Sequence, residues 1–311
     1  MLHHKHLIDI DEYSVEEITE ILDTARSFKE VNDRTIKKLP TLRGRTIINL
    51  FLEPSTRTRT SFEIAGKRMS ADVINFSASS SSTKKGETLA DTGETLNAMN
   101  ADLIVVRSKQ EGAPRLLARH VDAHIVNGGD GKHQHPTQAL LDAFTIRERL
   151  GHLEGLRIGI VGDIAHSRVV GSLVPLLVKM GAKPIVIGPP TLMPSEPGWW
   201  GCDWSYTLDD VLPELDVVYM LRIQMERLDG APLPSLREYT MLYGIDAARL
   251  AAMKPEAIIM HPGPINRGVE LSAEAADSER AVILDQVNAG VAVRMSVMYL
   301  LLGGDNSGLA S

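Results

Sequence analysis

Apolar positions along the chain follow two rhythms that take turns. Ser14-x-x-Glu17 reads as a capping box, and Val15, Ile18, Leu22 and Ala25 follow at helical spacing, so the first clear helix is predicted to start at Ser14. After Arg43-Gly44-Arg45 the rhythm changes to an unbroken apolar run over 46–52, the pattern of a strand covered on both faces. Further strands are predicted at 73–76, 103–106, 124–126, 158–161, 185–187, 217–221, 258–260 and 282–284, and most of the gaps hold amphipathic segments of helix length. Such alternation predicts an α/β protein built on doubly wound parallel sheets with helices on both faces.

A helix starting near His135 and running to about Leu150 is interrupted by Gly151 and Gly155 before the next strand, which places a domain boundary there. The expected domains are residues 1–150 and 151–289. The closing apolar segment 290–302 is either a last core helix or a return to pack on the first domain, and 290–311 is assigned to that domain. A length of 311 residues suits two domains of about 150 residues each. Hydrophobic content of 43% lets each half bury a core. No repeat of solenoid period is present, and the serine-rich run at 77–82 is too short to be a linker domain. No apolar run approaches the roughly 20 residues that span a bilayer, so no membrane partner is expected. His3, His4 and His6 lie in a polar start that suits neither a signal peptide nor a metal site as well as it suits a frayed, exposed terminus.

Charge narrows the function. A net charge of −7 argues against nucleic acid as a partner, yet a local arginine cluster can still hold a small anion. The single cysteine, Cys202, excludes an intrachain disulfide and fits a reducing cytoplasm. Neither common nucleotide site is present. There is no G-x-x-x-x-G-K-[ST] run, and Ile158-Gly159-Ile160-Val161-Gly162-Asp163 lacks G-x-G-x-x-G. The next strand ends in Gly188-Pro189-Pro190, where a ribose-binding carboxylate would be expected.

Candidate chemistry concentrates at Glu53-Pro54-Ser55-Thr56-Arg57-Thr58-Arg59-Thr60-Ser61-Phe62-Glu63, where the first strand ends and a helix begins. Pro54 stops the strand, and Ser55 or Thr56 caps the helix. The open N–H groups of the first turn and the positive end of the macrodipole make an anion site. The hydroxyls of Ser55, Thr56 and Thr58 add donors, and Arg57 adds a fork that matches phosphate oxygens. Arg59 points to another face and suits a structural pair. A second cluster, His135-Pro136-Thr137-Gln138 followed by Leu140-Leu141-Asp142, puts His135 at a helix mouth and Gln138 one turn along.

Together these runs resemble the carbamoyl-phosphate signature and the H-P-T-Q-x-L-L-D pattern of the aspartate/ornithine carbamoyltransferase family. The resemblance implies that Ser55, Thr56, Arg57 and Thr58 hold the phosphate and that Thr58 also reaches the carbonyl oxygen. It further implies that His135 donates to the carbamoyl oxygen, that Gln138 reads the carbamoyl NH₂, and that Arg107, at the end of the 103–106 strand, bridges phosphate and carbonyl oxygen. Ser81 and Lys85, in Ser81-Ser82-Thr83-Lys84-Lys85-Gly86-Glu87-Thr88, are similar to the serine and lysine of the family's closing loop.

Within the family, the segment from Arg222-Ile223-Gln224 to Leu228 resembles the aspartate branch, R-x-Q-x-E-R-L. The turn His261-Pro262-Gly263-Pro264 stands where ornithine enzymes carry H-C-L-P, and the ornithine-type S-M-G loop is missing. Gly263 and Pro264 are expected at the carbamoyl phosphate. The third place is glycine where the best-studied aspartate enzymes carry leucine. Arg168, after Gly162-Asp163, and Arg222, with Gln224 two residues on, offer the two cations that an acceptor with two carboxylates needs. Lys85 joins them at the acceptor.

The implied reaction is transfer of the carbamoyl group of carbamoyl phosphate to the amine of L-aspartate, a step of pyrimidine biosynthesis. It takes place in a cleft between the two domains with no cofactor and no metal. The implied assembly is a homotrimer with shared sites, a form compatible with regulatory chains or a dihydroorotase as further partners. Two other readings stand beside this one: a carbamoyltransferase for another acceptor, such as ornithine or an acylated ornithine, and a non-catalytic homologue that binds anions or serves as a scaffold. The segment 189–204, with its three tryptophans, has no counterpart in the resemblance.

Overall fold

The computed structural model of the protein describes residues 2–77, 88–223 and 235–303. The described chain divides into two compact units, 1–144 with 288–311 and 145–287. In order, the elements that build the first unit are α1 (Val15–Asp33), β1 (Thr46–Phe51), α2 (Thr56–Arg68), β2 (Asp72–Ser77), α3 (Leu89–Ala98), β3 (Leu103–Ser108), α4 (Ala113–Leu117), β4 (His124–Asp130) and the start of α5 (Pro136–Leu150). The second unit carries β5 (Arg157–Val161), α6 (Arg168–Lys179), β6 (Lys183–Ile187), β7 (Asp203–Ser205), β8 (Val217–Met220), α7 (Leu236–Tyr243), α8 (Ala247–Ala252), β9 (Ile258–Met260) and α9 (Ala273–Ala276). The last helix, α10 (Ile283–Leu302), begins in the second unit and ends in the first.

Each unit holds one sheet, and every strand pair in both is parallel. The strand orders are β2-β1-β3-β4 and β7-β6-β5-β8-β9. β1, β5 and β8 are buried almost throughout, which is why their sequences read as continuous apolar runs rather than alternations. In the first unit, Ile48 and Leu50 of β1 join Ile104 and Val106 of β3 in a core closed by Leu96 of α3 and Leu117 of α4. In the second, Val161, Ile187, Val218, Met220 and Ile259 pack with Tyr239 and Tyr243 of α7. The capping box at Ser14 forms as expected: the Ser14 hydroxyl accepts from Glu17 N at 3.2 Å, and the Glu17 carboxylate accepts from Ser14 N at 3.0 Å.

Two expectations need correction, and one strand was not predicted. Residues 282–284 are not a strand. Ala281 makes a single parallel bridge to Ile259, and the chain then enters α10 at Ile283, so a β-branched start hid a helix. The segment 203–205 is an edge strand that the sequence reading missed; at three residues it offers too little alternation to read. The N-terminal segment is also not frayed. Leu7 N donates to Ile125 O at 2.8 Å and Leu7 O accepts from Asn127 N at 2.8 Å, so residues around Leu7 cover the open edge of β4. His6 joins that anchor, its Nδ1 accepting from Ile125 N at 3.0 Å, and burial followed by the Lys5 charge pushes its imidazole down to about 4. Among the described residues, no helix is long and apolar enough to cross a membrane.

One glycine in the second unit is dictated by close approach. A Cβ on Gly188, just past β6, would stand 2.4 Å from the Gly162 carbonyl oxygen just past β5, and backbone on both sides cannot yield. Gly188→Ala is therefore expected to destabilise the protein by about 1–3 kcal/mol. Gly198→Ala, whose Cβ would meet nothing nearer than the Cys202 carbonyl at 3.9 Å, should change stability by less than about 0.5 kcal/mol. Urea unfolding midpoints of the two variants check this, and equal shifts would contradict it.

Candidate active site

In a parallel sheet the strands all end on one edge, and the place where the strand order reverses leaves a crevice between neighbouring connections. In the first unit that reversal falls between β1 and β3, and in the second between β5 and β8. The candidate residues lie at these edges.

At the first edge, β1 leads through Glu53 and Pro54 to Ser55, which occupies the N-cap of α2 with extended backbone. Its side chain makes no capping hydrogen bond, and Thr56 is already the first helical residue. Ser55 thus caps the helix by position, as expected, but without using its hydroxyl, and the first-turn N–H groups keep their donors. Arg57 is exposed and Thr58 is buried. One strand over, Phe51 pairs with Arg107 in the ladder, and Leu52 N donates to Arg107 O at 2.8 Å. The register between β3 and β4 slips between Val106 and Ser108, at Arg107 itself. Such irregularities re-aim a side chain. The Arg107 guanidinium pairs with the buried Glu53 carboxylate at 2.7 Å, and its Nη1 donates to Gly128 O of β4 at 3.1 Å. Arg107 therefore ties together the ends of β1, β3 and β4.

His135 follows β4 and stands directly before α5; its carbonyl accepts from Gln138 N at 2.9 Å. The loop that delivers it is pinned from several sides. Gln134 Oε1 accepts from Ile10 N at 2.7 Å, Gln134 Nε2 donates to Asp11 at 2.5 Å, and Asp130 Oδ1 accepts from Asn127 Nδ2 at 2.8 Å. Gln138 is buried, and its Nε2 faces both oxygens of Asp142 at 3.0 and 3.2 Å.

At the second edge, Arg168 is the first residue of α6 and is buried. The turn before it is held by Asp163, whose Oδ1 accepts from His166 N at 3.2 Å and lies 2.8 Å from His166 Nδ1. Arg222 lies two residues past β8. The next residue is clamped: Ile223 N donates to Glu270 at 2.9 Å, and Ile223 O accepts from Asn266 Nδ2 at 3.1 Å. Glu270 is fully buried; burial raises its carboxyl pKa, opposed by the hydrogen bonds from Ile223 and Asn266. After β9, Gly263 N donates to His261 Nδ1 at 2.7 Å, so Nδ1 carries no proton. Gly263 has a φ of +64°, a left-handed conformation in which glycine avoids the strain of a side chain. Ser81, Lys85 and Gln224 lie outside the described residues.

Family comparisons match this arrangement along nearly the whole chain. Residues 5–148 match the family model "Aspartate/ornithine carbamoyltransferase, carbamoyl-P binding domain", and residues 154–301 match "Aspartate/ornithine carbamoyltransferase, Asp/Orn binding domain". The chain belongs to the aspartate/ornithine carbamoyltransferase family. It is 58% identical over 300 residues to the aspartate carbamoyltransferase catalytic subunit of Thermobifida fusca, covering 96% of each chain. Among solved structures it resembles aspartate transcarbamoylase from Trypanosoma cruzi in complex with carbamoyl phosphate and aspartate, with a TM-score of 0.85, 33% identity, and coverage of 94% of this chain and 95% of that one. It also resembles ornithine carbamoyltransferase from Pyrococcus furiosus, with a TM-score of 0.85, 28% identity, and coverage of 97% and 98%. The resemblance first seen at Glu53–Glu63 and His135–Asp142 is thus a true family relationship.

Within this carbamoyltransferase, several residues that shape the edges escaped the sequence reading. Glu53 sits inside the quoted motif, but nothing local says that its carboxylate meets a strand 54 residues away. Asp163 and His261 lie in runs quoted above without a role of their own, and they and Glu270 accept hydrogen bonds from backbone N–H groups, contacts that the sequence does not show. Arg294 left a readable signal, being the one charge in the apolar stretch 290–302.

His133 also went unread, and it stiffens the loop before His135. Its Nδ1 lies 3.1 Å from Asp130 and its Nε2 3.4 Å from Asp9. The hydrogen bond to Asp130 raises its pKa above 6.5, partial burial opposes this, and the charges of Asp130, Asp9 and Glu111 add to the rise. Burial pushes the Asp130 carboxyl up, but hydrogen bonds from His133, Asn127 and Gly112 leave it below the usual carboxylate range. A raised folded-state histidine stabilises fully below its unfolded value near 6.5 and loses that contribution as pH rises through the folded value. The melting-temperature advantage of wild type over His133→Gln should therefore shrink between about pH 6 and 9. A gap that stays constant or widens over that range would refute the assignment.

Proposed function

We propose that the chain transfers the carbamoyl group of carbamoyl phosphate to the α-amine of L-aspartate, releasing phosphate and N-carbamoyl-L-aspartate. The observation that carries this reading is the placement of candidate donors at three neighbouring strand ends of one sheet. These are the α2 mouth after β1, Arg107 on β3, and His135 after β4. The naming of the curated relatives supports it. In the proposed division of labour, residues 1–150 with the C-terminal helix at about 290–311 form the donor domain, and 151–289 form the acceptor domain.

Ser55, Thr56 and Arg57, with the open N–H groups of α2, hold the phosphate, assisted by Ser81, Gly263 and Pro264. Gln138 accepts from the carbamoyl NH₂. The aspartate amine attacks the carbamoyl carbon and forms the C–N bond. The carbonyl oxygen takes on negative charge, which Thr58, Arg107 and His135 stabilise. Each such donor is worth about 3–4 kcal/mol in the transition state. The C–O bond to phosphate then breaks, and the departing phosphate accepts the amine proton. Arg168 and Arg222, with Gln224 and Lys85, hold the two carboxylates of the acceptor. Holding two anions in attack geometry is itself a large part of the rate. The protein acts in the cytoplasm.

The decisive experiment is a turnover assay with carbamoyl phosphate and a panel of acceptors. Aspartate should be carbamoylated, and ornithine should be rejected by repulsion between its ammonium and the two arginines. Arg222→Ala should raise KM for aspartate at least about tenfold more than KM for carbamoyl phosphate. Ornithine turnover comparable to that of aspartate would overturn the acceptor assignment.

The proposed assembly is a homotrimer in which Ser81 and Lys85 reach a site whose Arg57 belongs to the neighbouring chain. Arg57→Ala and Lys85→Ala should each lose at least about a hundredfold in turnover. Mixed in equal amounts, dissociated and reassociated at random, the two should regain about one quarter of wild-type activity, because each site draws one residue from each of two chains. Hybrid trimers no more active than their parents would rule out the shared site.

A further inference from the structure

Gln138 and Asp142 lie four residues apart on α5 and face each other one turn from His135. Gln138 Nε2 stands 3.0 and 3.2 Å from the two carboxylate oxygens of Asp142. The exposures are 9% for Gln138 and 0% for Asp142. An ionised carboxylate can only accept hydrogen bonds, so the glutamine must turn its NH₂ toward it and its Oε1 away. The reversed amide would set oxygen against oxygen in a buried place, at a cost of the order of a lost hydrogen bond.

A positive charge accompanies the pair. Arg294 of α10 is fully buried, its Nη1 donates to Gly290 O at 3.0 Å, and its guanidinium lies 5.0 Å from the Phe62 ring of α2. Burial pushes this guanidinium down to about 9, and the Asp142 carboxylate opposes that shift. The two charges therefore stabilise each other, which favours the acceptor-only form of Asp142. Gly290 makes room for the arrangement, since a Cβ there would meet Arg294 Nη1 at 2.5 Å.

We propose that Asp142 is a positioning residue that fixes the direction of the Gln138 amide and so selects a phosphate donor bearing an NH₂ over one bearing a methyl. This rests on the carbamoyl-transfer reading and deepens it. With Oε1 fixed as acceptor, an NH₂ on the donor's carbonyl carbon finds a partner. The methyl of acetyl phosphate, nearly the same size, finds none and leaves that oxygen unpaired. Selectivity between isosteres is large where a site is built to hydrogen-bond one of them.

The test compares wild type with Asp142→Asn, whose amide both donates and accepts and no longer dictates the direction of Gln138. At saturating aspartate, KM is measured for carbamoyl phosphate, and competitive inhibition constants for acetyl phosphate and inorganic phosphate. The expected result is a rise of at least about tenfold in KM for carbamoyl phosphate, with both inhibition constants within about threefold of wild type. Asp142→Glu, which keeps an acceptor-only group, should restore the wild-type ratio of acetyl phosphate to carbamoyl phosphate. If Asp142→Asn does not fold, Asp142→Ser serves with the same expectation, its hydroxyl being free to donate or accept. Equal weakening of all three ligands would show a merely structural role and overturn the proposal, as would an unchanged ratio. A wild-type protein that transfers no carbamoyl group removes the functional reading and this inference together; active wild type with an unchanged ratio removes the inference alone.

Discussion

A parallel sheet obliges every connection to cross back over a face, so all its strands finish on one edge. Where the chain stops adding strands on one side and begins on the other, two neighbouring connections leave in opposite directions and the edge between them stays open. In the first unit this happens at β1 and β3, in the second at β5 and β8. The same geometry sets helix N-termini and bare strand ends beside the opening, and both carry unspent hydrogen-bonding capacity. The arginines at these edges add charge to sites that the backbone has already prepared. Arg107 sits on a strand end at one reversal, and Arg168 begins the helix that follows a strand at the other.

Placing cations where water is scarce has a cost that the surroundings must offset. Removing a guanidinium from water is unfavourable unless a counter-charge and hydrogen bonds replace its hydration. Arg107 has Glu53 at 2.7 Å and a carbonyl of β4. Arg294 has the charge of Asp142, a carbonyl of its own helix and the face of Phe62. In each case a carboxylate that sequence reasoning left without a role is what permits the arginine. Glu53 and Asp142 both lie within the candidate runs 53–63 and 135–142, so the same short segments carry candidate site residues and the carboxylates that steady their neighbours.

That explains which parts of the molecule were legible in the sequence. Parallel strands covered on both faces appear as apolar runs, and a capping box such as Ser14–Glu17 is local, so most elements and the α/β class could be read directly. The α2 and α5 mouths were legible because their donors are contiguous. Partnerships across large separations were not. The clamp of Ile223 by Glu270, the pinning of Gln134 by residues near Asp11, and the seating of Leu7 beside β4 join positions that no periodicity connects. The misread start of α10 has a different cause. Val282 and Ile283 suit a strand by side-chain shape, and a bridge from Ala281 to Ile259 begins one, but the helix wins once the chain passes the sheet edge. Propensity over three residues is a weak guide when tertiary contacts decide.

A chain with a net charge of −7 at first looks ill suited to hold small anions. The resolution lies in range. Exposed charges more than about 8 Å away are largely screened at physiological ionic strength, so the acidic surface contributes little at a strand edge. The nearest layer at these edges consists of the open N–H groups of α2 and side chains such as Arg57, Arg168 and Arg222. Their effect is short-ranged and directional, which suits recognition by geometry better than long-range attraction does. The surrounding carboxylates need not weaken it, because Glu53 and Glu270 are turned inward. Glu53 pairs with Arg107, and Glu270 accepts from the backbone N–H groups of Ile223, next to Arg222, and of Asn266. Acidic residues close to the edges thus work as structural anchors, and the field that an arriving anion meets is set by the groups they hold in place.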